Sequence, residues 1–200
     1  EGKKKGKLLK GILNSWVRLL APFIPYTCEE VWQKSGGEGF VSNASWPEIN
    51  EGLVNREAEL SEELIKSTVQ DIENILGVTG KKPSTIFLYT TPSWKWKVYE
   101  AASKVKKPDM KAVMGKVMQD DELRKMGKEV SKYVGEIVRD PSRLRFEIKI
   151  DEFKALKEAE VFLKEEFGSK IEVNLAKAGV HDPMNKMNQA TPMKPAIYIE

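Results

Sequence analysis

The period of the hydrophobic pattern changes at Lys81-Lys82-Pro83, and this change constrains the fold more than any other feature. Before it, apolar residues recur every three or four positions, as in residues 7–20, which predicts amphipathic helices. After it, residues 84–90 form a short and nearly all-apolar run, which predicts a strand. The sequence therefore predicts two domains, a helical one over residues 1–80 and an α+β one over residues 81–200.

A pair of prolines separates the first two predicted helices. Pro22 and Pro25 end the first helix, because proline lacks an amide proton and restricts the residue before it. Pro25 also suits the first turn of the next helix, where the missing donor would be unpaired in any case. Glu29 and Glu30 come early in that helix, where the helix dipole favours negative charge. The sequence predicts a sharp corner between two helices.

Alternating apolar residues predict further strands in the second domain. Residues 143–150 and 170–175 alternate with period two, and a helix between them begins at Asp151 and ends at Gly168. This order predicts a parallel crossover, and the last six residues are compatible with a final strand. The predicted fold class is α+β: a helical bundle segment followed by a small α+β domain with a mixed three- to four-stranded sheet.

Charge is divided between two neighbouring blocks. Residues 38–80 hold two basic and nine acidic residues, a net charge of −7, whereas residues 81–119 hold nine basic and two acidic residues, a net charge of +7. A surface block of one sign indicates a partner of the opposite sign, and nucleic acid is the most available polyanion in the cytosol. The alternative is that two solvated helical faces attract each other. Charge alone leaves both interpretations open.

Few residues of this chain could support catalysis or metal binding. His181 is the only histidine and Cys28 the only cysteine, which excludes the usual closed zinc sites. The sequence contains no glycine-rich phosphate loop and no Gly-x-Ser-x-Gly turn. No apolar run is long enough to span a membrane, and no secretory signal is visible. We predict no catalytic residue, metal or cofactor in this chain, and we expect a cytoplasmic monomer without membrane association.

A cluster of lysines and aromatic residues suggests nucleic-acid binding. Residues 93–100, SWKWKVYE, alternate aromatic residues with lysines, and more lysines follow. Lysines neutralise phosphates, and an exposed aromatic ring can stack on a base. The alternative is that Trp96 and Tyr99 pack beneath a neighbouring helix, which is our expectation for Trp96. The candidate phosphate contacts are Lys81, Lys82, Lys95, Lys97, Lys104, Lys106, Lys107 and Lys111.

Residues 18–32, RLLAPFIPYTCEEVW, resemble the anticodon-binding helical domain of class I aminoacyl-tRNA synthetases of the leucyl, isoleucyl and valyl group. The corner of that domain reads L-x-P-F-x-P-H, two residues and E-E-x-W, and is followed by a loop that ends in W-P. Tyr26 stands where the family usually has histidine. The matching residues are Leu20, Pro22, Phe23, Pro25, Glu29, Glu30, Trp32, Trp46 and Pro47.

The rest of the chain resembles the C-terminal region of archaeal leucyl-tRNA synthetases, on the evidence of residues 90–102, 123–134 and 182–200. The resemblance implies a parent enzyme that activates leucine with ATP and transfers it to leucine tRNA. The H-I-G-H and K-M-S-K-S signatures of the family are absent here. We therefore expect a piece of a longer ligase that is not catalytic alone, with the missing catalytic and editing domains as its partners.

The resemblance also implies how the tRNA is bound. The helical domain is expected to hold the tRNA body without reading the anticodon, and the C-terminal domain to reach the long variable arm of leucine tRNA. The polar end of the chain is expected to be a free tip that offers groups to unpaired bases. Its candidate contacts are Asn185, Lys186, Asn188, Gln189, Lys194, Ile197, Tyr198, Ile199 and Glu200.

Two alternatives remain open. One is the corresponding region of an isoleucyl-, valyl- or methionyl-tRNA synthetase, because the choice of the leucyl enzyme depends mainly on the end of the chain. The other is a protein-interaction module whose working surface is the acidic helix predicted over residues 55–76.

Overall fold

The computed structural model describes residues 2–49, 51–80, 82–146, 148–177 and 179–200. The chain forms two compact units, Glu1–Val54 and Asn55–Glu200. The predicted boundary lies at residue 80, whereas the units divide after Val54, because the helix that follows packs against the helix Glu152–Glu158. Lys81, one of the candidate contacts, lies outside the described residues.

The first unit is built on the proline corner. Helix α1 spans Gly2–Leu20 and helix α2 spans Pro25–Lys34, with proline at the first helical position, which confirms the predicted corner. Neither glutamate lies in the first turn of α2. The Glu29 carboxylate instead accepts a hydrogen bond from the Val41 amide at 3.0 Å, and so holds the turn that follows the helix. The buried residues of this unit are Val17, Ala21, Cys28, Trp32 and Val41.

The apolar face of α1 is left uncovered in the first unit. Side chains along it are between 43% and 66% exposed, which is unusual for large hydrophobic residues. They are Leu8, Leu9, Ile12, Leu13 and Trp16. Only part of the apolar surface that the sequence pattern provides is therefore buried within the unit.

The second unit contains the sheet and the remaining helices. The helices are α3 (Arg56–Thr79), α4 (Ser93–Ser103), α5 (Met110–Val117), α6 (Asp121–Lys125), α7 (Gly127–Arg139), α8 (Glu152–Glu158) and α9 (Glu160–Phe167). The strands are β1 (Thr85–Tyr89), β2 (Lys170–Asn174) and β3 (Ala196–Ile199). Strand β1 is central, parallel to β2 and antiparallel to β3. The α+β class with a mixed sheet is confirmed, with three strands.

Two hydrophobic clusters support the second unit. In one, Ile86 and Leu88 of β1 pack with residues of α3, α8, α9 and β2. In the other, Val98 and Ala102 of α4 pack with residues of α5 and α7. Helix α4 contributes to both clusters, since Trp96 also lies in the first. Trp96 and Tyr99 are both buried, which confirms that they pack inside the domain instead of offering rings to a base.

The strand predicted over residues 143–150 is wrong. Pro141–Arg143 forms a 3-10 turn, and the described residues of 144–150 form no strand. The Tyr99 hydroxyl determines the course of this segment: it donates to the Arg143 carbonyl at 3.1 Å and accepts from the Phe146 amide at 2.8 Å. Strand β2 pairs in parallel with β1 and not with residues 143–150. The predicted parallel crossover is therefore replaced by a connection that runs from β1 to β2.

Two negative findings limit the chemistry of the fold. None of the helices within the described ranges is sufficiently long and apolar to cross a membrane. In the same part of the chain, no three histidine, cysteine or carboxylate side chains come together where they could hold a metal ion.

Buried tyrosines should make the stability of the protein fall at alkaline pH. Burial raises the pKa of Tyr89 to about 12 and also raises the pKa of Tyr133. As the pH rises above 10, the unfolded chain loses phenolic protons that the folded chain keeps, so the free energy of unfolding should fall. Urea unfolding at pH 9 to 11 should show a smaller fall in a variant with Tyr89→Phe and Tyr133→Phe. Equal falls in both proteins would contradict this account.

Candidate nucleic-acid interface

The second unit contains an open groove of about 1130 Å³. Its walls come from α3, the start of α4, α7, residues 142–146 and residues 188–194. The structure thus brings together the lysine-aromatic segment and the polar end of the chain, which the sequence offered as two separate candidates. The charged residues of the lining are Lys95, Lys132, Arg143, Arg145 and Lys194, with Asp71, Glu129 and Glu136.

Lys95 lies in the wall of this groove, but its ammonium is not available to RNA. Its side chain is only 6% exposed, and Nζ donates to the carbonyl oxygens of Asn188 and Ala190, both at 2.6 Å. The rings of Trp94 and Tyr133 lie 5.6 and 5.4 Å from Nζ. Burial lowers the pKa of Lys95. As a phosphate contact Lys95 stays a prediction, and this geometry counts against it, because its charge is used inside the fold.

Lys97 is also engaged, although it is closer to solvent. Its Nζ lies 3.0 Å from Asp120 Oδ2 and 2.5 Å from Glu122 Oε2. These hydrogen bonds raise the pKa of Lys97. A phosphate would have to compete with two carboxylates for this ammonium, so Lys97 is a weaker candidate than its neighbours.

The lysines after α4 are free. Lys104, Lys106, Lys107 and Lys111 are exposed, and no carboxylate in the described part of the chain forms an ion pair with them. They lie between the end of α4 and the first turn of α5, which the Asp109 carboxylate caps by accepting from the Ala112 amide at 2.8 Å. Lys82, before β1, is exposed as well. The ammonium groups of this stretch can therefore bind a phosphate without first breaking an ion pair.

Three further cations of the second unit were not predicted as candidate contacts. Lys125, Lys128 and Lys132 are exposed on α6 and α7, and within the described residues none of them pairs with a carboxylate. Lys128 and Lys132 are four residues apart on α7, so they lie on one face of that helix. Their helical spacing could have identified them.

The candidate contacts near the end of the chain fall into two groups. Residues 185–194 form turns beside the groove, with exposed Asn185, Asn188 and Gln189. The Asp182 carboxylate stabilises these turns by accepting from the amides of Lys186 and Met187 at 2.7 and 2.8 Å. Lys194, in the groove lining, lies 3.7 Å from Asp71.

The last candidates belong to a strand, not to a free tip. The Glu200 amide donates to the Thr85 carbonyl at 3.0 Å, and the Glu200 carbonyl accepts from the Ser84 amide at 2.7 Å. The expectation of a free tip is therefore wrong, although the predicted final strand is confirmed. Tyr198 and Glu200 direct their backbone groups to β1, so those of Ile197 and Ile199 face the outer edge of the sheet.

The sequence of this chain is similar to a known protein family and to several known proteins. Residues 2–88 match the family described as the anticodon-binding domain of tRNA ligase. The chain is 39% identical over 193 residues to a leucine–tRNA ligase of Methanothermobacter thermautotrophicus, covering 96% of this chain and 20% of that protein. It is 44% identical over 195 residues to a leucine–tRNA ligase of Pyrococcus abyssi, covering 96% of this chain and 19% of that protein. The chain spans about a fifth of the length of these relatives.

Proposed function

We propose, from the membership of residues 2–88 in the anticodon-binding domain family of tRNA ligases, that this chain is the tRNA-binding part of a leucine–tRNA ligase. The observation that carries the proposal is the similarity to archaeal leucine–tRNA ligases along 96% of the chain. The parent enzyme would attach leucine to its tRNA with ATP, in the cytoplasm. Neither class I catalytic signature is present in these 200 residues, so the chain would bind tRNA without aminoacylating it.

Two kinds of contact would hold the tRNA. The free lysines between α4 and α5 would bind phosphates of the tRNA body, which gives affinity but no sequence preference. The turns of residues 185–194 and the outer edge of β3 would meet the long variable arm, where amide and backbone groups can reach unpaired bases. Affinity and selectivity would thus come from different parts of the second unit.

The uncovered face of α1 supports a partner within the parent enzyme. The relatives are about five times as long as this chain, so most of their polypeptide lies outside it. An apolar helix face of this size is expected to pack on another apolar surface. We infer that α1 packs against polypeptide of the missing catalytic and editing portions, and that the complete enzyme acts as a monomer.

Binding of leucine tRNA should depend steeply on salt. Four or five phosphate contacts would give a slope of about −4 in a plot of log K against log salt concentration, because each contact releases counterions. Gel shifts between 50 and 200 mM salt, with leucine tRNA and a tRNA with a short variable arm, should show this slope for both and tighter binding of leucine tRNA.

Other results would favour a different parent enzyme or a protein partner. Equal affinity for the two tRNAs would favour an isoleucyl-, valyl- or methionyl-tRNA synthetase as the parent. A chain that binds neither tRNA, or that binds with a flat salt response, would contradict the proposal and favour a protein partner for the acidic surface of α3.

A further inference from the structure

We propose that Lys95 is a positioning residue for RNA recognition: it fixes, from inside the domain, the backbone of a loop that presents Asn188 and Gln189 to unpaired bases. The recognition loop is defined here as residues 182–194. This inference rests on the proposed function, because it assumes that the groove beside the loop receives RNA. It assigns Lys95 a role that is distinct from contact with phosphate.

The partners of Lys95 are unusual for a buried lysine. Its ammonium donates to the carbonyls of Asn188 and Ala190, both at 2.6 Å, and no carboxylate of the described chain forms an ion pair with it. Burying a charge without a directly paired opposite charge is costly, although the Glu136 carboxylate attracts this ammonium from a greater distance. An apolar side chain of the same length would fill the space without that cost. What the lysine adds is a fixed position for two carbonyls, one on either side of Gln189.

A second buried charge holds the other end of the loop. Glu152, at the start of α8, is 4% exposed, and its carboxylate accepts from the amides of Met193 and Thr91, both at 2.8 Å. The Tyr89 hydroxyl donates to the His181 carbonyl just before the loop. Three side chains from β1, α4 and α8 thus converge on one surface segment. A loop that merely connected two elements would need none of them.

The backbone of the recognition loop is left-handed at two places, and this conformation is strained at Met193. Asn185 and Met193 have φ values of 51° and 63°, a left-handed conformation that is uncommon for residues other than glycine. Such conformations persist only when their surroundings fix them, and they are concentrated at functional sites. Met193 is fixed by the hydrogen bond of its amide to Glu152 and by burial of its side chain. The loop is therefore held in one shape before any ligand binds.

The groups that this shape presents suit unpaired bases. Asn188 and Gln189 are exposed, and their side-chain amides make no hydrogen bond to any described residue. An amide offers both a donor and an acceptor, which matches the edge of a base that has no pairing partner. Lys132 also lines the groove and is exposed, so it could bind a phosphate of the same nucleotide. Arg143 is less available, because two carboxylates pair with it. Because the amides are neutral, they would give selectivity without adding to the salt dependence.

Salt titration separates positioning from direct phosphate contact. Lys95→Met keeps the length of the side chain, and Lys104→Met removes an exposed ammonium as the matched control. The control should reduce the steepness of the log K against log salt plot by about 0.9, the value for one phosphate contact. Lys95→Met should leave the slope unchanged and weaken binding of leucine tRNA about tenfold, with little change for a short-arm tRNA, as expected for lost base contacts.

A double-mutant cycle tests whether Lys95 acts through the loop. The surface variant Asn188→Ala with Gln189→Ala should lose the same preference for leucine tRNA, and combining it with Lys95→Met should cost little more, because residues in one network are not additive. The surface variant leaves the core intact, so it tests whether the recognition loop reads RNA even if Lys95→Met unfolds.

The outcomes that overturn the proposal are distinct. If the unaltered chain binds leucine tRNA but the surface variant keeps its preference, the recognition loop does not read RNA. If Lys95→Met changes the slope as much as Lys104→Met does, Lys95 contacts phosphate directly. Fully additive losses would show that the two sites act independently. Absence of tRNA binding by the unaltered chain would instead overturn the proposed function itself.

Discussion

Replacing Lys104, Lys106 and Lys107 by glutamate is expected to weaken tRNA binding by about 100-fold or more at physiological salt, because three phosphate contacts are lost and repulsion is added. These three ammoniums are exposed, and they form no ion pair with a carboxylate in the described part of the protein. The loss should be similar for tRNAs with long and short variable arms, since phosphates carry no sequence information. Gel shifts at several salt concentrations measure both the affinity and the slope, which should become less steep by about 2.7 for three contacts.

A matched control keeps the change in net charge and moves it elsewhere. Lys154, Lys164 and Lys177 are exposed, and no ion pair involves them within the described residues. They lie on α8, on α9 and after β2, away from the segment between α4 and α5. Replacing them by glutamate should change tRNA affinity much less. Equal losses from both sets would mean that only the overall charge matters, and no loss from either would identify the basic block as a solvated face.

Most helices were predictable because their signals are local, although the helix predicted between Asp151 and Gly168 is divided into α8 and α9. Helix α3 begins after Asn55, whose side chain accepts from the Ala58 amide at 3.1 Å. It continues past the predicted end at residue 76 and ends before Gly80, which has a φ of 62°. Both are ordinary boundary signals that can be read from the sequence. The family resemblance of the proline corner is local as well, since its residues lie within one short segment.

The false strand at residues 143–150 shows where local signals fail. Phe146 and Ile150 are buried, so the segment does have an inner and an outer side. Alternation predicted most of this inner side, although Ile148 is 44% exposed, but a strand also needs a neighbouring strand with free backbone groups. Strand β1 pairs on one side with β2 and on the other with β3. The sequence of residues 143–150 could not reveal that competition.

The partners of the Lys95 side chain could not be predicted from the sequence either. On a helix, Trp94, Val98 and Ala102 predict the inner face, and Lys95 is displaced from that face by one position. Its partners are carbonyl groups more than 90 residues further along the chain, whose position depends on the whole fold. Because the acceptors of the Lys95 ammonium are main-chain carbonyls, the types of their side chains do not indicate them. The lysines at 104–107, by contrast, were predictable as exposed cations because they lie between two helices, and Lys111 follows in the first turn of α5.

Removing Ala196–Glu200 is expected to unfold the second unit. Strand β3 covers one edge of β1, and Ala196 is buried while Ile197 and Ile199 pack on the hydrophobic clusters. Loss of these side chains from the core, together with β1 backbone groups left without partners, should cost on the order of 5 kcal/mol, which is comparable to the whole stability of a small domain. Urea unfolding should lose its cooperative transition for this unit, and binding should be lost for tRNAs with long and short arms alike.

Two proline variants separate the structural role of β3 from contact with RNA. The Tyr198 backbone faces β1, so Tyr198→Pro should break the pairing and reproduce much of the destabilisation. The Ile197 amide faces the outer edge, where proline is tolerated, so Ile197→Pro loses some core packing but should destabilise the unit less than Tyr198→Pro and leave it folded. If the edge binds the variable arm, Ile197→Pro should lower the preference for leucine tRNA while the urea transition stays cooperative. For the deletion of Ala196–Glu200, a urea transition as cooperative as that of the unaltered chain would show that β3 is not part of the stable sheet.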